Sequence, residues 1–122
     1  MAGKKILIVD DSETIRQRVA GALENAGFET QTARDGIEGL VSVQQDPPAM
    51  VILDVNMPRM NGLDMLDNLD VKKSGLPVLL LTTEVEPSLM ARAKLAGAKG
   101  WMVKPVSLER LVDTVRKVVA ST

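Results

Sequence analysis

Lys4-Lys5-Ile6-Leu7-Ile8-Val9-Asp10-Asp11-Ser12 contains four consecutive apolar residues, three of them β-branched, that stop abruptly at two carboxylates and a hydroxyl. A strand with one wet face alternates apolar and polar residues, so an unbroken apolar run of this length reads as a strand buried on both faces. The pattern recurs along the chain. Met50-Val51-Ile52-Leu53 runs into Asp54, Pro77-Val78-Leu79-Leu80-Leu81 into Thr82, and Gly100-Trp101-Met102-Val103 into Lys104-Pro105. Phe28-Glu29-Thr30-Gln31-Thr32-Ala33 is a weaker, more alternating fifth candidate.

Helical spacing fills the gaps between these runs. Ile15, Val19, Ala22, Leu23 and Ala26 repeat every three or four positions behind the capping residues Asp11-Ser12, and Gly27 ends the repeat. Ile37, Leu40 and Val41 mark a second helix that the prolines of Asp46-Pro47-Pro48 terminate. Leu63, Leu66 and Leu69 mark a third, opened by Asn61-Gly62; the apolar residues around that dipeptide fall at helical rather than hairpin spacing. Pro87 and Gly97 bracket a fourth, Ala-rich helix, and Leu108, Leu111, Val112, Val115, Val118 and Val119 stripe a fifth behind Ser107. The expected fold is α/β: five βα units in a doubly wound, open parallel sheet, because buried parallel strands need right-handed helical crossovers on both faces. Five units are too few for an eightfold barrel.

Composition narrows the chemistry. The 122 residues hold 15 Lys+Arg against 16 Asp+Glu, with 45% hydrophobic and 25% charged residues, as expected of one soluble globular domain with a single core. No apolar run is long enough to span a membrane or to form a signal-peptide core, so a cytoplasmic location without membrane insertion is expected. There is no cysteine and no histidine. That composition excludes disulfides, thiolate or imidazole zinc sites and Cys/His or Ser/His nucleophile pairs, leaving oxygen and ammonium groups to do any chemistry. A net charge of -1 and an aromatic content of one Phe and one Trp provide neither a basic stripe nor a stacking platform for nucleic acid.

Ligands of open parallel sheets bind beyond the carboxyl ends of the strands. Just past those ends stand Asp10 and Asp11, then Asp54, Thr82 and Thr83, and Lys104. Three ionised carboxylates about 5 Å apart repel by about 3 kcal/mol per pair at an effective dielectric near 20, a cost comparable to a domain's whole stability of about 5–15 kcal/mol. With the Lys104 ammonium they sum to a charge that one divalent cation balances, and carboxylate oxygens suit Mg²⁺. The cluster therefore reads as a phosphoryl-transfer site. In it Asp54 is the nucleophile, Mg²⁺ and Lys104 neutralise the phosphoryl oxygens, and Thr82 donates a hydrogen bond to the transferred group.

Val9-Asp10-Asp11, Leu53-Asp54-Val55-Asn56-Met57-Pro58-Arg59-Met60-Asn61-Gly62, Leu81-Thr82-Thr83-Glu84 and Val103-Lys104-Pro105 together resemble the signature of two-component response-regulator receiver domains, most of all the stand-alone CheY-like type. The resemblance covers essentially the whole chain and implies a flavodoxin-like sheet of strand order 2-1-3-4-5. It implies that Asp54 is the phosphoacceptor, that Asp10 and Asp11 hold Mg²⁺ with the backbone carbonyl of Asn56, and that Lys104, whose bond to Pro105 is typically cis, binds the phosphoryl group. Thr82 corresponds to the switch hydroxyl and Trp101 to the switch aromatic, a place where Tyr or Phe is usual. Asn56 and Glu84 correspond to positions that tune loss of the phosphoryl group.

The resemblance further implies a signalling domain rather than an enzyme, one receiver domain over residues 1–122 with no output domain. Its donor would be a histidine kinase or histidine phosphotransfer protein, since the chain has no histidine to serve as donor. The surface of the fourth helix, fifth strand and fifth helix would control a flagellar motor, kinase or enzyme, in chemotaxis or motility among other settings. A monomer is expected, with activation-linked dimerisation as the further option. Ser88-Leu89-Met90-Ala91-Arg92-Ala93 has few large apolar anchors and is expected to be loosely held. Arg16, Arg18 and Arg116 read as a solvated face, with kinase docking as the sharper alternative. Met57, Met60 and Met65 read as packing residues rather than a plastic binding surface. Alternatives within the family are a phosphate sink or relay intermediate without its own target. Outside it stands a small haloacid-dehalogenase-like phosphohydrolase, whose motif requires an acid where this chain has Asn56.

Overall fold

The computed structural model describes residues 4–57, 61–83 and 86–120. Its strands are β1 (Lys5–Val9), β2 (Glu29–Ala33), β3 (Met50–Asp54), β4 (Val78–Thr82) and β5 (Gly100–Val103). Its helices are α1 (Glu13–Asn25), α2 (Gly36–Gln45), α3 (Gly62–Leu69), α4 (Val71–Ser74), α5 (Pro87–Leu95) and α6 (Leu108–Ala120). The five strands are parallel in the order β2-β1-β3-β4-β5. The single turn α4 is an element beyond the five helices expected: Asp70 adopts a left-handed φ of 50° that ends α3, and one further turn follows. The fourth and fifth helices of the sequence reading are thus α5 and α6.

Alternate strand residues feed two cores. Ile6, Ile8, Met50, Ile52, Leu79 and Leu81 meet Val19 and Leu23 of α1 and Leu111, Val115 and Val119 of α6. Leu7, Val9, Val51, Leu53, Val78 and Leu80 meet Met65 and Leu66 of α3 and Ala93 of α5. The strand register carries this parity to the carboxyl rim. Val9 pairs with Leu53, Asp54 with Leu81, and Leu81 with Met102. Asp10, Asp54 and Lys104 therefore continue the α1/α6 side, whereas Thr82 and Trp101, which follow the parity of Leu80, continue the α5 side.

Helix starts follow local chemistry. Ser12 Oγ accepts from Ile15 N, Asp35 Oδ1 from Glu38 N and Asn61 Oδ1 from Asp64 N, each satisfying a backbone donor that the first turn leaves unpaired. Two expectations need correction. Ile37 and Val41 of α2 are 41% and 45% exposed; α2 instead presents Gly36, Gly39 and Ser42 inward. A Cβ at Gly39 would sit 2.7 Å from Met65 Cε and 3.1 Å from Val9 Cγ2, so a side chain there would push the Met65 thioether aside. The second correction concerns β5, which is a half-exposed edge strand rather than one buried on both faces. It has one neighbour, and Trp101 and Val103 are left partly in solvent.

Candidate functional site

The rim residues converge as the register requires. Asp10 and Asp54 are buried, at 1% and 3% exposure, and Asp11 beside them is open to solvent. Carboxylate oxygens of the three lie within 4.8 Å of one another, the one such acidic group among the described residues. Lys104 reaches back from the end of β5 to place Nζ 3.1 Å from Asp10 Oδ2 and 3.0 Å from Asp54 Oδ1. Its own N–H donates to the Thr82 carbonyl, and its bond to Pro105 is cis, as the resemblance implies.

Asp10 is held from several directions. Its Oδ1 accepts from the Ser12 N–H at 2.9 Å, its N–H donates to the Ala33 carbonyl, and its own carbonyl accepts from Arg16 Nη1 at 2.6 Å. Arg16 thus does not belong to a solvated face: its half-buried guanidinium ties α1 to the turn that presents the acids. Asp54 is locked differently. The Gly62 N–H donates to the Val55 carbonyl at 2.8 Å, and a Cβ at Gly62 would overlap the Asp54 carbonyl oxygen. The start of α3 therefore lies directly on the end of β3, an approach that only glycine permits.

Burial raises the Asp54 carboxyl from an ordinary value near 3.8 to about 6; the Lys104 hydrogen bond opposes this shift, and the charges of Asp10 and Asp11 add to it. For Lys104, burial pulls its basicity down, but the hydrogen bond and charge of Asp54, then Asp10, prevail, leaving it above its ordinary value. Lys104 is thus a fixed cation between two carboxylates. Three carboxylates and one ammonium leave two negative charges, and an all-oxygen donor set of that charge fits Mg²⁺ held directly or through water.

Thr82, buried at the end of β4, lies on the other side of the sheet. It lines a narrow cleft of about 10 Å³, with room for about one water molecule, together with Trp101 of β5 and Leu89, Met90 and Ala93 of α5. The two candidate switch residues are therefore neighbours under one helix. Ala93 is the single buried residue of α5, in line with the loose hold expected there. Asn56 is exposed on the loop past β3. Met57 and Met65 are core residues. Glu84, Pro58, Arg59 and Met60 lie outside the described residues. Sequence reading missed the Arg16–Asp10 bond, whose signal would have been a basic residue one helical turn past a capped strand end. It also missed the pairing of Arg92 with Asp64 and Asp67, described below. A larger, mostly apolar cleft of about 150 Å³ lies beside Lys104, between Ile15 and Val19 of α1 and Val106 and Leu108. No described helix is long and apolar enough to cross a membrane.

The response regulator receiver domain family matches residues 6–116. The chemotaxis protein CheY-3 of Vibrio cholerae serotype O1 is 38% identical over 117 residues, covering 93% of this chain and 90% of that protein. The solved structure of the Vibrio cholerae chemotaxis protein CheY4 superposes with a TM-score of 0.89 at 41% identity, covering 96% of this chain and 99% of that one. The response regulator MprA of Mycobacterium leprae is 35% identical over 118 residues, and there the chain spans about half the relative's length, 52%. The strand order 2-1-3-4-5, the acids at its rim and kinship over nearly the full length agree, and the chain belongs to the response-regulator receiver domains.

Proposed function

We propose that the chain takes a phosphoryl group onto Asp54 from a phosphohistidine on another protein and passes the change to its α5–β5–α6 surface, which controls a partner protein. The observation that carries this is the placement of Asp54: buried, at the strand end, paired with Lys104 and within 4.8 Å of two further carboxylates. A lone buried aspartate needs no such company, and a stability-driven core would not assemble it.

Asp10, Asp11, Asp54 and the Asn56 carbonyl would hold Mg²⁺, which when bound supplies positive charge against the phosphoryl oxygens. An Asp54 oxygen attacks phosphorus, and the electron pair of the broken N–P bond stays on the donor's imidazole. Lys104, already fixed by two carboxylates, meets the incoming oxygens without reorganising. Thr82 turns its hydroxyl toward the phosphoryl group, and Trp101 follows in the shared cleft. Asn56 and Glu84 govern the water that later removes the group, so the domain limits its own signal.

Residues 6–116 would act as one receiver domain, as a monomer. Kinship with two Vibrio cholerae proteins named for chemotaxis supports a role in motility. Acetyl phosphate with Mg²⁺, followed by intact mass, tests the core of this reading. Wild type should gain about 80 Da, the mass of one phosphoryl group, and Asp54→Ala or chelated protein should gain nothing. An adduct that persists on Asp54→Ala would overturn it.

A further inference from the structure

Both α3 and α5 cover the same side of the sheet, and they are held very differently. α3 buries Gly62, Leu63, Met65 and Leu66, and it starts hard against the Asp54 carbonyl. α5 buries Ala93 alone and starts at Glu86, which makes no side-chain capping bond. Joining the two is Arg92. Its Nη2 lies 3.0 Å from Asp64 Oδ1 and 2.8 Å from Asp67 Oδ2, so one nitrogen of α5 bridges two carboxylates one turn apart on α3. Asp64 is itself fixed, since its N–H donates to Asn61 Oδ1 and its carbonyl accepts from Asn68 Nδ2. The hydrogen bonds to Asp67 and then Asp64 also hold the guanidinium's proton more firmly than usual.

We propose that Arg92 is a positioning residue, an ionic clasp that ties α5 to α3 and so opposes movement of α5 away from the Thr82–Trp101 cleft. The idea rests on the reading of Asp54 as phosphoacceptor, with α5 as the element that responds. α3 is anchored to the phosphoacceptor strand and cannot follow, so any shift of α5 stretches the clasp. Each of the two pairs is about half exposed, and such pairs shift an equilibrium by up to about fivefold. That is small for a core and large for a helix with one buried side chain. The clasp therefore acts as a brake: it sets how much of the protein adopts the active arrangement before and after modification.

The test compares wild type with Arg92→Gln, Arg92→Lys and the double variant Asp64→Asn/Asp67→Asn. Amide hydrogen exchange is measured on unmodified protein. Fluorescence of Trp101, the single tryptophan, is titrated with beryllofluoride at fixed Mg²⁺. Arg92→Gln should speed exchange in α5 by about two- to fivefold with α3 unchanged, and lower the beryllofluoride midpoint by a similar factor. Arg92→Lys should recover part of both effects. The Asp64/Asp67 variant should reproduce Arg92→Gln, and combining them should add nothing further. High salt should close the gap between wild type and Arg92→Gln. A wild type that responds to beryllofluoride, with variants that match it in midpoint and α5 exchange, overturns the clasp alone. A wild type whose Trp101 ignores beryllofluoride removes the coupling of Asp54 to α5 and the brake with it, whereas a wild type that gains no adduct of about 80 Da from acetyl phosphate removes the phosphoacceptor reading itself.

Discussion

β3 and β5 each deliver a site residue to the same rim, yet they are built in opposite ways. All five residues of β3 are buried between two neighbouring strands, while β5 has one neighbour, no fully buried residue, and Trp101 and Val103 half in solvent. The helices repeat the contrast. Side-chain caps open α1, α2 and α3, and Ser107 Oγ accepts from Arg110 N at the start of α6, but α5 has no such bond. The phosphoryl transfer proposed at Asp54 needs atoms fixed to fractions of an ångström, which dense packing supplies. A surface that reports the chemistry needs two arrangements close in free energy, and sparse anchoring supplies that.

The largest test of this contrast is a matched pair of truncations. Leu53→Ala should cost about 4 kcal/mol, because the fully buried side chain leaves a cavity, and Val103→Ala under 1 kcal/mol, read from urea unfolding. Equal losses would erase the distinction. A somewhat smaller effect concerns charge. Between about pH 4 and pH 6 the folded protein holds the Asp54 proton more tightly than the unfolded chain. Stability from this group is therefore greatest below pH 4, falls as pH rises through that window, and stays lost above it. Asp54→Asn should consequently be more stable than wild type by about 2–3 kcal/mol at pH 7.5 in chelator, with the gap closing toward pH 4 and shrinking when Mg²⁺ is added. An unchanged gap at both pH values would mean that burial does not strain Asp54.

The remaining predictions address the loose side. Glu86 has the extended backbone of a helix cap, so Glu86→Ser should stabilise α5 by about 0.5–1 kcal/mol and slow exchange of its amides; unaltered exchange would show that the missing cap is not what leaves α5 loose. Smallest of all, Leu95→Ser at 73% exposure should change stability by less than about 0.5 kcal/mol. A loss above 1 kcal/mol would mean α5 is better anchored than its burial indicates.

Much of this was legible in the residues themselves. Four apolar runs that each stop at Asp, Thr or Lys encode both the buried sheet and the contents of its rim, because parallel strands end on the same side. Ser12, Asn61 and Ser107 could be read as helix starts from residue type alone. What escaped depends on relations between distant segments. Gly100–Val103 is as apolar as Met50–Leu53, and only strand order makes one an edge and the other central. Ile37 and Val41 face outward because α2 turns Gly36, Gly39 and Ser42 toward the sheet, a face invisible to hydrophobic periodicity. Arg92 lies 28 and 25 residues from its partners, a pairing decided by how α3 and α5 lie side by side.

The alternation of side chains along β4 has one more consequence. Leu81 and Thr82 are adjacent in the chain, yet one belongs to the side of Asp54 and the other to the side of Trp101. The sheet is thus a partition one strand layer thick, and one residue, about 3.3 Å along the strand, is enough to change sides. Under the proposed function, the change made at Asp54 has a single peptide step, from Leu81 to Thr82, to cross before it reaches the cleft of Trp101.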